Sequence, residues 1–321
     1  MKLLPLFSSI IAVALIYQPL AIAGAQSTPL RTYAASPYQS TSLSTQLRSA
    51  FPVEETEVFS MVSVASVWAQ SADFNLDYYQ NQVFFGSQWR LNEDISMEIM
   101  FQFSQAKNNG LDSFVMNFHD LFGIGQNGRE EAGEDQFNVT SDTYSISEQD
   151  FENDVLVSAV HSYLEYHIFA SEVEALSIGG SIYMNDLNDD SIASSSFEQG
   201  VQLNYSKIRG NHGLFSTIGV THRKDVSILN EINVDGVTGA FAIGYSYRFA
   251  RRHQILSEYH IYQGFLDDDS EFSKASHEVI MGYRYRYNQV VLELSATENI
   301  INMDNSTDIL FSAGIRYFFS E

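Results

Sequence analysis

The chain has 321 residues, no cysteine, 17 Lys+Arg against 40 Asp+Glu and a formal net charge of −23. A chain without cysteine has neither a disulfide framework nor a lipid-modified cysteine, so its stability must come from strand pairing and burial. The acidic balance argues against nucleic acid as a partner, because that requires a basic face.

Residues 1–23 read as a secretory signal peptide. Lys2 supplies the positive start, Leu3 to Ile16 an apolar run, and Ala21 and Ala23 the small residues before a cut after Ala23 or Ala25. No other stretch is apolar for long enough to cross a bilayer as a helix. Residues 24–57 show no strand rhythm and are expected to form an N-terminal periplasmic segment.

From 58 to 319 every second residue is apolar over short runs. In the run Val237 to Phe249, Val237, Phe241, Ile243, Tyr245, Tyr247 and Phe249 share one parity, while Thr238, Ala240, Ala242, Gly244, Ser246 and Arg248 share the other. Side chains of a strand point to opposite faces in turn, so the run has one apolar and one small or polar face. The same rhythm places strands at 58–69, 78–90, 94–105, 154–169, 173–185, 196–208, 213–223, 237–249, 253–265, 275–287, 289–299 and 307–319.

Short and long connections alternate between these runs, the longest being an acidic stretch at 106–153. An even strand number with tight turns at one end and longer loops at the other is the pattern of a bacterial membrane barrel. The descending strands end in Trp89, Tyr166, Tyr205, Tyr247 with Phe249, Tyr285 with Tyr287, and Tyr317 with Phe319, all on the apolar parity, where a bilayer interface favours aromatic rings. A soluble two-sheet sandwich alternates equally well, but the last strand favours the barrel, because Phe311, Ile315, Tyr317 and Phe319 form the aromatic-ended alternating terminus typical of barrels inserted by the outer-membrane assembly machinery. The expected fold is therefore all-β, a single antiparallel transmembrane β-barrel of about 12 strands in the outer membrane of a Gram-negative cell.

Within the 106–153 loop, Phe114, Val115, Phe118, Leu121 and Phe122 recur at helical spacing between a capping Asp112-Ser113 and Gly123, which predicts a short amphipathic helix. Phe114, Phe118, His119, Asp120 and Phe122 are candidate residues of a plug or lid. The run from Gly110 to Phe114, Asn117-Phe118-His119-Asp120-Leu121-Phe122-Gly123, Asn127-Gly128-Arg129 and Asp135-Gln136-Phe137 resembles the signature of the domain-of-unknown-function 3187 family. That resemblance implies an exported protein of β-barrel character and no particular activity.

Assigning the polar parity to the lumen gathers Arg248, Glu258, Arg284, Arg286, Glu293 and Arg316 toward the ends of the later strands, a candidate charge network that either selects solutes or fills the interior. His161, Glu165 and His167 share one inward face, but a spacing of about 6.6 Å between alternate residues does not bring all three to one metal. His119 and Asp120, adjacent on a helix, point in different directions and are no ready acid-base dyad. The acidic loops around Asp186, Asp189 and Asp190 and around Asp267, Asp268, Asp269 and Glu271 can meet Ca²⁺ or lipopolysaccharide-bound divalent ions, although neither has the spacing of a dedicated calcium loop. No nucleophile elbow, metal-hydrolase motif or phosphate-binding glycine loop is present, so no catalytic, cofactor or metal residue is assigned and no enzyme is expected.

These readings converge on a narrow passive channel or gated transporter with the long loop controlling access. The rival is a non-transporting barrel whose acidic loops bind lipopolysaccharide, divalent ions or a partner protein, with an outer-membrane hydrolase less favoured. The barrel-assembly machinery is the expected partner during insertion, and the solute is not specified.

Overall fold

A computed structural model describes residues 28–319 except 72, 112–135, 188–194, 225, 226, 229–231, 268, 269, 303, 304, 306 and 308. The alternating runs become long antiparallel strands: β1 (Thr56–Gln70), β2 (Asn75–Arg90), β3 (Ile95–Ala106), then a hairpin of β4 (Asn138–Ser141) and β5 (Ile146–Gln149) inside the long loop. They continue as β6 (Val155–Ala170), β7 (Glu174–Asn185), β8 (Ser196–Arg209) and β9 (His212–Arg223), and as the two-residue pieces β10 (Ser227–Ile228) and β11 (Ile232–Asn233). The last five are β12 (Val237–Ala250), β13 (His253–Tyr262), β14 (Ser276–Tyr287), β15 (Val290–Ile301) and β16 (Ile309–Phe319).

Twelve of these form one closed sheet, because β1 pairs on one side with β2 and on the other with β16, from Thr56 opposite Phe319 to Ser66 opposite Ile309. Closure removes the sheet edge, which a bilayer does not tolerate. The short turns lie at one end of the cylinder. Gly210 (φ 61°) and Asn288 (φ 54°) take the left-handed conformation that two-residue hairpin turns require. In outer-membrane barrels this turn end faces the periplasm and the loop end faces outward. Strand limits fall within about three residues of the positions set by alternation.

The apolar parity points away from the cylinder axis. Val201 (59 % exposed), Leu294 (58 %), Ile218 (57 %) and Met281 (56 %) face outward, and Tyr166, Phe249, Tyr287, Tyr317 and Phe319 are exposed near the turn end. A continuous belt of this kind in water would be an aggregation surface; against acyl chains it is the solvated face.

The inward face is polar. Seven buried glutamates on the strands, Glu57, Glu98, Glu165, Glu198, Glu258, Glu278 and Glu293, face three buried arginines, Arg223, Arg284 and Arg316. Left alone, that excess of buried carboxylates would be costly.

The N-terminal segment resolves the excess, because its described residues 28–55 lie inside the barrel. Residues 28–55 enter the barrel at the turn end and run up to the loop end. There the chain reverses around a 3₁₀ turn at Gln39–Thr41, and it descends again to start β1. The ascent is marked by Arg284 donating to the Thr28 and Pro29 carbonyls and by the Ala35 and Ser36 amides donating to Glu278 Oε1 at 2.8 and 3.1 Å. The descent is marked by the Leu43 amide on Glu198 (3.1 Å), the Arg48 amide on Thr217 Oγ1 (3.2 Å) and the Ala50 amide on Ser206 Oγ (2.8 Å). Tyr33 ties the two legs, its hydroxyl donating to the Ser42 carbonyl (2.5 Å) and accepting from the Ser44 amide (3.2 Å). A backbone without a ladder of its own thus finds partners on the wall, as buried amides must.

The loop end is capped by an apolar cluster. Tyr38 of the reversal stacks on Phe265 (6.1 Å between ring centroids) and meets Phe272 edge-on (4.8 Å), and Phe74, Phe137 and Phe151 extend the layer to the β4–β5 hairpin. The amphipathic helix expected over Ser113 to Phe122, with Phe114, Phe118, His119, Asp120 and Phe122, lies outside the described residues.

Candidate functional site: a lumen filled by its own N-terminal segment

The site is the contact between the wall and the re-entrant segment. Near the turn end, register places Glu57, Gln88, Glu98 and Tyr163 opposite one another on β1, β2, β3 and β6, one level of the inner face. Arg31 lies in this band. Its Nε donates to Glu57 Oε1 (2.7 Å), Nη1 to Glu98 Oε2 (2.5 Å) and Nη2 to Gln88 Oε1 (2.9 Å), while the guanidinium carbon sits 3.8 Å from the Phe59 ring centroid. Arg48, on the descending leg, donates through Nη2 to the other oxygen of Glu98 (2.8 Å) and covers the Tyr163 ring at 3.9 Å. Carboxylate acceptors in the guanidinium plane and a ring on its face are the two contacts this group favours most.

Beside the band the wall has its own pairs. Arg316 makes a bidentate contact with Glu57, with both distances 2.8 Å, and reaches Glu293 Oε1 at 3.1 Å. Arg284 Nε donates to the same Glu293 oxygen at 2.6 Å. Of the six residues grouped from sequence, Arg284, Glu293 and Arg316 therefore meet in one cluster, joined by Glu57, which alternation alone did not single out. Glu258 stands apart, held by His260 Nε2 (3.0 Å) and the Leu30 amide (2.7 Å). Arg286 lies at the rim, where it approaches Glu55 (3.6 Å) and donates to the Asn288 carbonyl, and Arg248 is half-buried near the turn end of β12. Higher up, Arg223 donates to Glu198 Oε2 (2.9 Å), to Thr238 and to the Leu43 carbonyl.

His161, Glu165 and His167 remain separate. His161 bonds Ser181, Glu165 is held by Ser177 and Asn204, and His167 lies between Ser96 and the Ala50 carbonyl. Among the described residues no three His, Asp or Glu side chains are placed to share a metal.

Shape matches charge. A Cβ built on Gly219, Gly244 or Gly282 would lie 2.5 Å from Thr45 Oγ1, Leu47 Cδ2 and Leu30 Cδ1 respectively, so these inward glycines are the recesses into which the segment's side chains fit. Where the legs diverge toward the turn end, a cavity of about 100 Å³ opens between them, bordered by Arg31, Arg48, Glu57, Phe59, Arg316 and Phe318. Sequence reasoning missed this arrangement because residues 28–55 have no periodicity. The available signal was an inner face with more glutamate than arginine.

The model of the protein-of-unknown-function family DUF3187 matches residues 6–319. An outer membrane channel from Pseudomonas putida F1 superposes with a TM-score of 0.55 at 11 % identity, over 84 % of this chain and 97 % of that one. The KdgM porin in complex with oligogalacturonate gives 0.46 at 7 % identity, over 83 % and 99 %. The translocator domain of the autotransporter NalP from Neisseria meningitidis also gives 0.46 at 7 %, over 83 % and 89 %. The first of these likenesses supports the outer-membrane barrel fold. No curated protein matches by sequence.

Proposed function

The chain belongs to DUF3187, a family of proteins of unknown function, and from its own lumen we propose that it is a gated outer-membrane passage closed by residues 28–55. The observation that carries this reading is the division of the lumen between two parts. The wall fills some of its own recesses, Gly179 with Tyr163 and Gly314 with Met61, whereas Gly219, Gly244 and Gly282 and the hydroxyls of Thr217 and Ser206 receive a separate strandless segment. That segment is held by hydrogen bonds and ion pairs and by apolar contacts of Leu30, Tyr33, Leu47 and Phe51 in small, separate clusters with the wall. When it leaves, water replaces each hydrogen bond, so the net loss per neutral bond is only about 0.5–1.5 kcal/mol. The loop end is sealed by aromatic packing and the turn end opens into the cavity, which makes the periplasmic side the one from which the segment moves.

The absence of cysteine from the chain permits a direct test. Ala50→Cys with Ser206→Cys joins positions whose amide and hydroxyl lie 2.8 Å apart. In planar bilayers the oxidised protein should stay silent, and reduction should restore opening events like those of the unsubstituted chain. If the unsubstituted chain and a variant lacking residues 30–50 both insert and neither conducts, the passage reading is wrong and the barrel is a filled scaffold.

A further inference from the structure

The wall contacts of Arg31 and Arg48 have a chemistry of their own. Glu98 is 1 % exposed and points into the lumen, and both of its oxygens are occupied by guanidinium groups that belong to the re-entrant segment. With that segment withdrawn, the described wall offers Glu98 no ion-pair partner, whereas Glu57 keeps Arg316. What remains on β1, β2, β3 and β6 is a pair of adjacent cradles sharing one carboxylate. The first is Glu57, Gln88 and Glu98 with the Phe59 ring, and the second is Glu98 with the Tyr163 ring. Each combines an anionic acceptor with an aromatic face, the arrangement that binds organic cations. The second cradle does not satisfy its arginine, since Arg48 Nε is buried without a hydrogen-bond partner.

We propose that these cradles are a binding site for solutes bearing guanidinium or ammonium groups, and that Arg31 and Arg48 occupy it as internal surrogates in the closed state. The inference rests on the gated-passage reading and adds to it a solute class. A cationic solute entering through the turn-end cavity meets Arg31 and Arg48 at its border, competes for Glu98 and so favours release of the segment that holds the passage shut. The wall's surplus of buried glutamate over arginine then disfavours anions along the rest of the path.

The test uses the full chain. Arg31→Ala with Arg48→Ala vacates both cradles and removes the ion pairs that hold the segment to Glu57 and Glu98, freeing it to leave the lumen, and this variant should unfold at a lower temperature in detergent than the parent. Millimolar methylguanidinium should restore most of that loss, while sodium at equal ionic strength restores little. Adding Glu98→Gln should abolish the difference between the two cations. In bilayers the double variant should conduct with a several-fold preference for potassium over chloride and be blocked by methylguanidinium.

If methylguanidinium and sodium act alike on both stability and current, the cation site is refuted, even though a conducting variant would leave the passage reading intact. Selective rescue without any current would retain the site and remove the passage. Should the double variant fail to insert, Arg48→Gln vacates the second cradle alone, and the same comparison of cations decides there.

Discussion

At the scale of single residues, the lumen is specified by small side chains as much as by charged ones. Gly244 faces Leu47, and any Cβ there would meet Leu47 Cδ2 at 2.5 Å. Gly244→Val should therefore overpack the contact, costing about 1–3 kcal/mol, and the strain should fall on the descending leg, which has no ladder to hold it. Limited proteolysis in detergent should show faster cleavage within residues 28–55 and unchanged strands. Leu47→Ala in the same chain should reverse the effect; additive damage would show that the two positions do not share a contact. Glu98 illustrates the complementary case. Its partners lie 50 and 67 positions earlier in the chain, on a segment with no pattern to align it.

At the scale of elements, alternation was sufficient to place the strands, because a period of two has a single solution once one face is committed to lipid. The aromatic ends of the descending strands located the turn-end interface for the same reason. This face yields a depth-dependent prediction. Leu294, mid-strand and 58 % exposed, and Tyr317, near the turn end and 42 % exposed, both point outward. Leu294→Arg should cost about 2–4 kcal/mol and Tyr317→Arg about 0–1 kcal/mol, measured as folding free energy into lipid vesicles. Equal costs at the two depths would contradict the lipid-facing assignment. The β4–β5 hairpin was not legible, being short strands within a loop whose pairing to β2 depends on where that loop folds back.

At the scale of the whole molecule, wall and filling differ in how they are held. Each barrel strand is bonded on both sides, whereas residues 28–55 are joined to the wall by side chain to backbone contacts scattered over its height. Local stability should differ accordingly. Hydrogen exchange in lipid nanodiscs should show the amides of 28–55 exchanging well before those of β7, β8 and β9. Simultaneous exchange would mean that segment and barrel open as one unit, against a movable closure.

Residue order alone was enough for the closed antiparallel sheet, its strand limits and its lipid face, since these depend on a local period and on the nature of the solvent outside. The occupant of the lumen was decided only in three dimensions. Nothing in the spacing of Arg31, Arg48 and Glu98 marks them as partners. Twelve strands must close around a polar interior before the surplus of buried carboxylates exists, and only then does the aperiodic N-terminal segment become the nearest source of the donors that surplus requires.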